Sequence, residues 1–268
     1  MNCPLCNDPM IFHYRGVFNR CGVKDYKFSL VKCEKCQFIA TDPLPTNVVY
    51  PGSRNEKNEF QAVNTAPWNI RLIRKVLSQK PSGDLLEIGC NSGDFLIIAK
   101  DHGFNCVGIE IDDVAADAGI KMGRPMVKGD VLKHDFGKKF DVIVLNHVVE
   151  HIPQITELPM RLSSLLKEDG VVIINVPNIS GLIVRIMKQN WCQMAPFTHL
   201  WFFSRKSARI LFKESFQNIS FSTNTNCEPI GLSPFSVKLL IKTIIVLIAN
   251  KLQWGDELGI VLSKPISN

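Results

Sequence analysis

The sequence predicts an α/β fold, a doubly wound parallel sheet preceded by a small cysteine-stapled module. Three observations carry this. Strand-like and helix-like segments alternate from residue 84 to 176, the pattern of parallel strands joined by right-handed crossovers. A glycine turn, GCNSG at 89–93, joins the first of these strands to a helix. Two CxxC pairs, CPLC at 3–6 and CEKC at 33–36, stand ahead of the whole pattern.

The bulk properties bound the rest. A chain of 268 residues is long enough for about two domains of roughly 150 residues. Its 46% hydrophobic and 21% charged residues are those of an ordinary globular protein. No apolar h-region follows Met1, so a secretory signal is not expected. The greasiest stretch, 237–252, is interrupted by Lys238 and Lys242, and a span needs about 20 mostly apolar residues. The nine cysteines are therefore read as those of a cytoplasmic protein, where metal binding is favoured over disulfides. The formal net charge of +6 is unevenly placed: residues 1–80 hold 12 Lys+Arg against 6 Asp+Glu, and the remainder holds 19 of each. A solvated basic face accounts for this, with attraction of an anionic substrate as the functional alternative. No basic run interleaved with aromatics appears, which disfavours nucleic acid.

In the N-terminal module, 26 residues separate the two CxxC pairs. Each pair turns tightly enough to aim two thiolates at one ion. Together Cys3, Cys6, Cys33 and Cys36 complete a four-sulfur zinc site, structural because the shell is full. The alternating MIFHYRGVF and KDYKFSLVK between them predict a ribbon hairpin, with His13 and Cys21 as bystanders. The proline-rich TDPLPTNVVYPGS ends the module, giving a zinc ribbon over 1–50 and a second domain over 51–268.

In the second domain, DLLEI predicts a buried strand and Asp94 opens the helix FLIIAKDHG. Strand, glycine turn and helix N-terminus form the α/β recipe for a nucleotide-like ligand. A GxGxxG dinucleotide pattern starting at Gly89 would need glycines where Asn91 and Asp94 stand. An acid at 94 would also repel a pyrophosphate. Instead Glu87 precedes Gly89, and Gly93 closes the turn. An acid there suits a ligand with positive charge, such as an amino group or a sulfonium. The next strand, NCVGIEID, ends in Glu110, placed to accept from ribose hydroxyls. The third, PMVKGDV, puts Asp130 within reach of an adenine amino group.

LLEIGCNSG, GIEID and GDV together resemble the donor-binding motifs of the class I S-adenosylmethionine-dependent methyltransferases. FDVIVLNHVVEHIP at 140–153 and LLKEDGVVIINVPN at 165–178 resemble that superfamily's fourth and fifth strands. The likeness covers about residues 65–265 and departs from the pattern at Asn91, where a middle glycine is usual; Asn tolerates positive φ better than most residues. The resemblance implies a Rossmann-like seven-stranded sheet with an antiparallel last strand, FQNISFSTNTN and DELGIVLSKP being the final two. It also implies S-adenosylmethionine as cofactor, held by Glu87, Gly89, Asn91, Gly93, Glu110, Ile111, Asp130, Val131 and Asn146. A four-cysteine ribbon before such a domain and HLWFFS at 199–204 resemble bacterial sugar methyltransferases of deoxysugar and surface-polysaccharide pathways. These carry a Glu-His pair where this chain has Thr198-His199, so C-methylation loses ground to transfer onto a sugar hydroxyl.

The implied function is methyl transfer to a sugar or sugar-nucleotide acceptor. The alternatives are a methyltransferase of quinones, lipids or RNA, or a catalytically silent donor-binding module. Base candidates are His199 first, then His147, Glu150 and His151. His199 falls in a long aromatic loop, 177–203, whose Trp191, Trp201, Phe202 and Phe203 line a sugar pocket or, as dense aromatics more often do, form core. A second insertion, 228–255, contains the 237–252 stretch. This is expected to pack on the sheet or at a dimer interface, with peripheral contact at the inner membrane face as the alternative.

Overall fold

The computed structural model describes residues 1–19, 24–45, 67–188, 191–225 and 246–266. Two sheets organise them. The larger has seven strands: β4 (Gly83–Ile88), β5 (Phe104–Glu110), β6 (Met126–Lys128), β7 (Phe140–Asn146), β8 (Leu166–Pro177), β10 (Phe216–Asn224) and β11 (Glu257–Pro265). Their order is β10-β11-β8-β7-β4-β5-β6. Strands β4 to β8 run parallel, and β11 inserts antiparallel between β8 and β10, as expected of the last strand. The central strands are apolar on both faces, Val142 to Leu145 being fully buried, because helices cover both sides of a parallel sheet.

The crossovers follow local rules. Helix α1 (Pro67–Gln79) leads into β4. Helix α2 (Asp94–Asp101) starts at the predicted acid and gives way to Gly103, whose φ of 88° suits a residue without Cβ. Asp112 caps α3 (Asp113–Lys121) by accepting from the Ala115 N–H at 2.9 Å. Helix α4 (Leu158–Leu165) carries Pro159 in its first turn.

The smaller sheet begins as the predicted hairpin, β1 (Met10–Phe18) against β2 (Tyr26–Cys33), and adds β3 (Ile39–Thr41). Its fourth strand, β9 (Trp201–Phe202), comes from the other end of the chain, with Ile39 opposite Phe202. Phe38 stacks on Trp201 at 5.5 Å between ring centroids. The Thr41 N–H donates to the Leu200 carbonyl, and its hydroxyl to that of His199. The ribbon thus grips the segment just before β9.

One sequence expectation changes here. The stretch 177–203 is not one long loop. It contains helix α5 (Leu182–Met187), an apolar turn begun after Gly181, and ends in β9. Trp191, Trp201, Phe202 and Phe203 are all buried, the core role that dense aromatics more often take and the one favoured from the sequence. Trp201 and Phe203 join the core shared with the large sheet, and Trp191 and Phe202 join a second cluster with the ribbon and α5. Of the 237–252 stretch, 237–245 lies outside the described residues; 246–251 is helical, with Leu247 and Ile248 exposed. Cys21 also lies outside them. Among the described residues, no helix is long and apolar enough to cross a membrane.

Candidate active site

Parallel strands place all their C-terminal ends on one edge, and the loops from that edge surround a cavity of about 650 Å³. The glycine turn forms its floor. Gly89 has φ of 68°, and a Cβ there would sit 2.5 Å from Val148 Cγ2, so only glycine lets the two loops close on each other. Its N–H donates to the Ile109 carbonyl at 2.8 Å. Asn91, the departure from the superfamily pattern, takes φ of 50°.

Glu110 ties this turn to the next strand. Its Oε2 accepts from the Asn91 N–H, and its Oε1 from the N–H groups of Ile111 and Asp112, each at 2.8 Å. A carboxylate offers about four lone-pair sites, so the backbone already takes three and about one is left for a ligand. The expectation that Glu110 serves both hydroxyls of a ribose is thereby narrowed, because the same carboxylate also shapes the loop.

Glu87 differs from Glu110. It is buried on the cavity wall, and its Oε2 has no hydrogen-bond partner. Burial, with Asp94 and Glu110 nearby, pushes its carboxyl well above the usual range. The wall carries five carboxylates (Glu87, Asp94, Glu110, Asp112 and Asp130) and no lysine or arginine among the described residues. Such a wall attracts a cation and repels a phosphate.

Of the other predicted donor-site residues, Ile111, Val131 and Asn146 line the cavity, and Asn146 accepts from Asn175 Nδ2 at 2.9 Å. Gly93 does not line it. At φ of 80° it turns the chain into α2, and a Cβ there would crowd Leu96, Arg124 and Met126. Sequence reasoning missed Trp68, Asp112, Gln154 and Thr198 as wall residues. Asp112 was foreseeable as the second acid of GIEID; Trp68 and Gln154 belong to no motif.

The candidate bases gather at the end of β7. His147 bridges two acids, Nδ1 lying 3.3 Å from Glu150 Oε1 and Nε2 3.0 Å from Glu257 Oε2. Burial opposes its charge, but the two carboxylates prevail and raise the imidazole to about 10. Glu150 is correspondingly held down at about 2, although it is completely buried. His147 is therefore an imidazolium near neutral pH and a poor proton acceptor. His151 lines the cavity in a 3₁₀ turn, Val149–His151, and its Nδ1 meets the Thr198 carbonyl at 2.9 Å. His199 does not reach the cavity. It packs edge-on against His151 at 4.8 Å between ring centroids, and burial lowers it to about 3. The neutral imidazole expected from PFTHLWFF is there, one ring behind the wall.

At the opposite end of the chain, the sulfurs of Cys3, Cys6, Cys33 and Cys36 lie within 4.8 Å of one another, with the pairs Cys3–Cys36 and Cys6–Cys33 at 3.4 Å. A tetrahedron with metal–sulfur bonds of about 2.3 Å has edges of about 3.8 Å, so the four side chains fit one ion.

Comparison with known proteins agrees with this geometry. A 127-residue stretch is 32% identical to a ribosomal protein L11 methyltransferase of Thermosipho africanus, covering 45% of each chain. A 153-residue stretch is 26% identical to a ubiquinone biosynthesis O-methyltransferase of Rickettsia bellii, covering 47% of this chain and 63% of that one. The matched region thus spans about half the length of these relatives. A solved SAM-dependent methyltransferase from Archaeoglobus fulgidus superposes with a TM-score of 0.56 at 23% identity, over 74% of this chain and 93% of that one. The PH0226 protein of Pyrococcus horikoshii gives 0.53 at 16% identity, over 81% and 96%. Both share the fold. A family described as methyltransferase domain matches residues 65–218, more than half of the 268, and the chain belongs to it.

Proposed function

We propose that this protein transfers a methyl group from S-adenosylmethionine to a hydroxyl of a small, uncharged acceptor. The observation that carries the reading is the buried, unpartnered Glu87 carboxylate beside the Gly89 turn. A donor bearing an ammonium and a sulfonium satisfies it; a dinucleotide does not. When bound, the donor supplies an electrophilic methyl on a sulfonium. Glu87 receives its positive end, the backbone of 89–91 approaches it closely, and Glu110 offers its remaining lone pair to the ribose. The chain's main task is to hold donor and nucleophile in line. The acceptor oxygen gives up its proton at the Glu150–His151–His199 cluster, of which His151 is the member on the cavity wall.

A wall without lysine or arginine favours a neutral acceptor. The HLWFFS likeness makes a sugar the first choice, and the relative named as a ubiquinone biosynthesis O-methyltransferase makes a phenol the second. Labelled donor offered to a panel of sugars, nucleotide sugars and catechols separates these. Label in none of them would leave the chain a donor-binding module. In the same reading the four cysteines hold one structural zinc.

Two results are expected of the donor site. Glu110→Ala should weaken donor binding by about 1.5–3 kcal/mol, the range for hydrogen bonds to a charged group. Calorimetry showing parental affinity would contradict it. Glu87→Gln should change the pH dependence of binding. Burial favours the protonated carboxyl before the donor arrives, and the donor's ammonium favours the ionised form. Binding therefore releases a proton and tightens as pH rises. Titration calorimetry in buffers of different ionisation enthalpy should detect that proton in the parent and miss it in Glu87→Gln.

A further inference from the structure

The cluster behind the cavity wall contains polar atoms that no hydrogen bond among the described residues satisfies. Glu150 is completely buried, and neither of its carboxylate oxygens has a hydrogen-bond partner; His147 approaches Oε1 but without hydrogen-bond alignment. His199 is 6% exposed and its Nδ1 is likewise unsatisfied. Buried polar groups are ordinarily paired, and buried charges are paired or coordinate metals. One ligand atom from each of Glu150, His151 and His199 lies within 4.8 Å of the other two.

We propose that Glu150, His151 and His199 hold a divalent transition-metal ion at the wall of the donor cavity. The surroundings of the histidines fit this. His151 places Nδ1 against the Thr198 carbonyl, and His199 hydrogen-bonds the Gln193 backbone. Metal-ligating histidines are commonly held this way, one nitrogen on a carbonyl and the other bearing the lone pair. Imidazole and carboxylate donors suit zinc, iron(II) or cobalt(II) better than calcium or magnesium. Three protein ligands leave a position open, and His151 borders the cavity, so that position is accessible to an acceptor oxygen. An ion there would acidify a bound hydroxyl, so that His151 acts on the acceptor proton through the ion and not as a free base; the proton would pass to solvent, and the alkoxide would attack the methyl carbon as its bond to sulfur breaks, leaving a neutral thioether. That role rests on the acceptor reading above; the ion's binding does not.

Cobalt(II) tests it. Full-length protein with its cysteine site filled by zinc is titrated with Co²⁺ without donor or acceptor, so the result is independent of methyl transfer. The expected result is uptake of one equivalent with ligand-field absorption and no thiolate-to-cobalt charge transfer. His199→Gln and Glu150→Gln should each weaken that uptake by more than about 100-fold, beyond the roughly 10–100-fold cost of losing only an outer partner of a ligand. Donor binding by calorimetry verifies that the variants are folded. Should Glu150→Gln fail to fold, His199→Gln carries the comparison. No uptake, absorption confined to thiolate charge transfer, or unchanged affinity in His199→Gln would overturn the proposal.

Discussion

Replacing His151 with alanine is expected to lower kcat by about 10²–10⁴-fold, the usual worth of acid–base assistance, with donor affinity nearly unchanged. The split follows from position. The donor contacts lie on the loops after β4 and β5, whereas His151 lies beyond β7 and borders the cavity from the other side. The ring meets Thr198 and His199, and both belong to the segment before β9. His147 cannot substitute for it, because two carboxylates keep that imidazole protonated to about pH 10. Steady-state kinetics on an active acceptor, with donor calorimetry beside them, check the prediction. A variant whose kcat stays within a few-fold of the parent would remove His151 from the chemistry.

The double change Cys33→Ser, Cys36→Ser should have the larger effect on stability. Structural four-cysteine zinc sites contribute on the order of 10–16 kcal/mol of apparent binding energy, which in small modules is folding energy. The ribbon here cannot replace that from its own core, since its hairpin carries exposed Ile11, Phe12 and Val17. Its loss should spread in one direction. Thr41 and Ile39 grip the 199–202 segment, so releasing them loosens His199 and, behind it, the wall at His151. Among the described residues, no strand pairing or hydrogen bond ties the loop of Glu110 and Gly89 to the ribbon in this way. Zinc per chain should fall from about one to none, methyl transfer should fall with it, and donor binding should persist. Zinc content and methyl transfer that both survive the double change would refute the site and its coupling to the wall.

Legibility in the sequence followed the range of each interaction. The seven-stranded sheet and the glycine turn were readable because their determinants are local: an apolar run, a turn needing positive φ at Gly89 and Asn91, an acid at a strand end. The four cysteines were readable because each CxxC pair is a local turn. What escaped depends on contacts across the chain. Nothing near residue 199 says that its carbonyl meets Thr41, or that Trp201 lies on Phe38. His199 was readable as a neutral imidazole, since its apolar neighbours are adjacent in sequence; its depth was not, since β3 supplies part of the cover. In the same way HVVEH showed three titratable groups but not the partner Glu257, which sits 110 residues from His147 and charges it.

The pairing of β3 with β9 also sets an order of events during synthesis. Ile39 leaves the ribosome well before its partner Phe202, which lies 163 positions further along the chain. At about 5–20 residues per second, the free edge of β3 waits roughly 8–33 s for that partner. Through that interval the nascent ribbon presents unpaired backbone groups and the uncovered face of Phe38, a combination that invites pairing with another chain. Early capture of the proposed zinc, by holding the hairpin closed, would protect the nascent chain before the methyltransferase half of the fold exists.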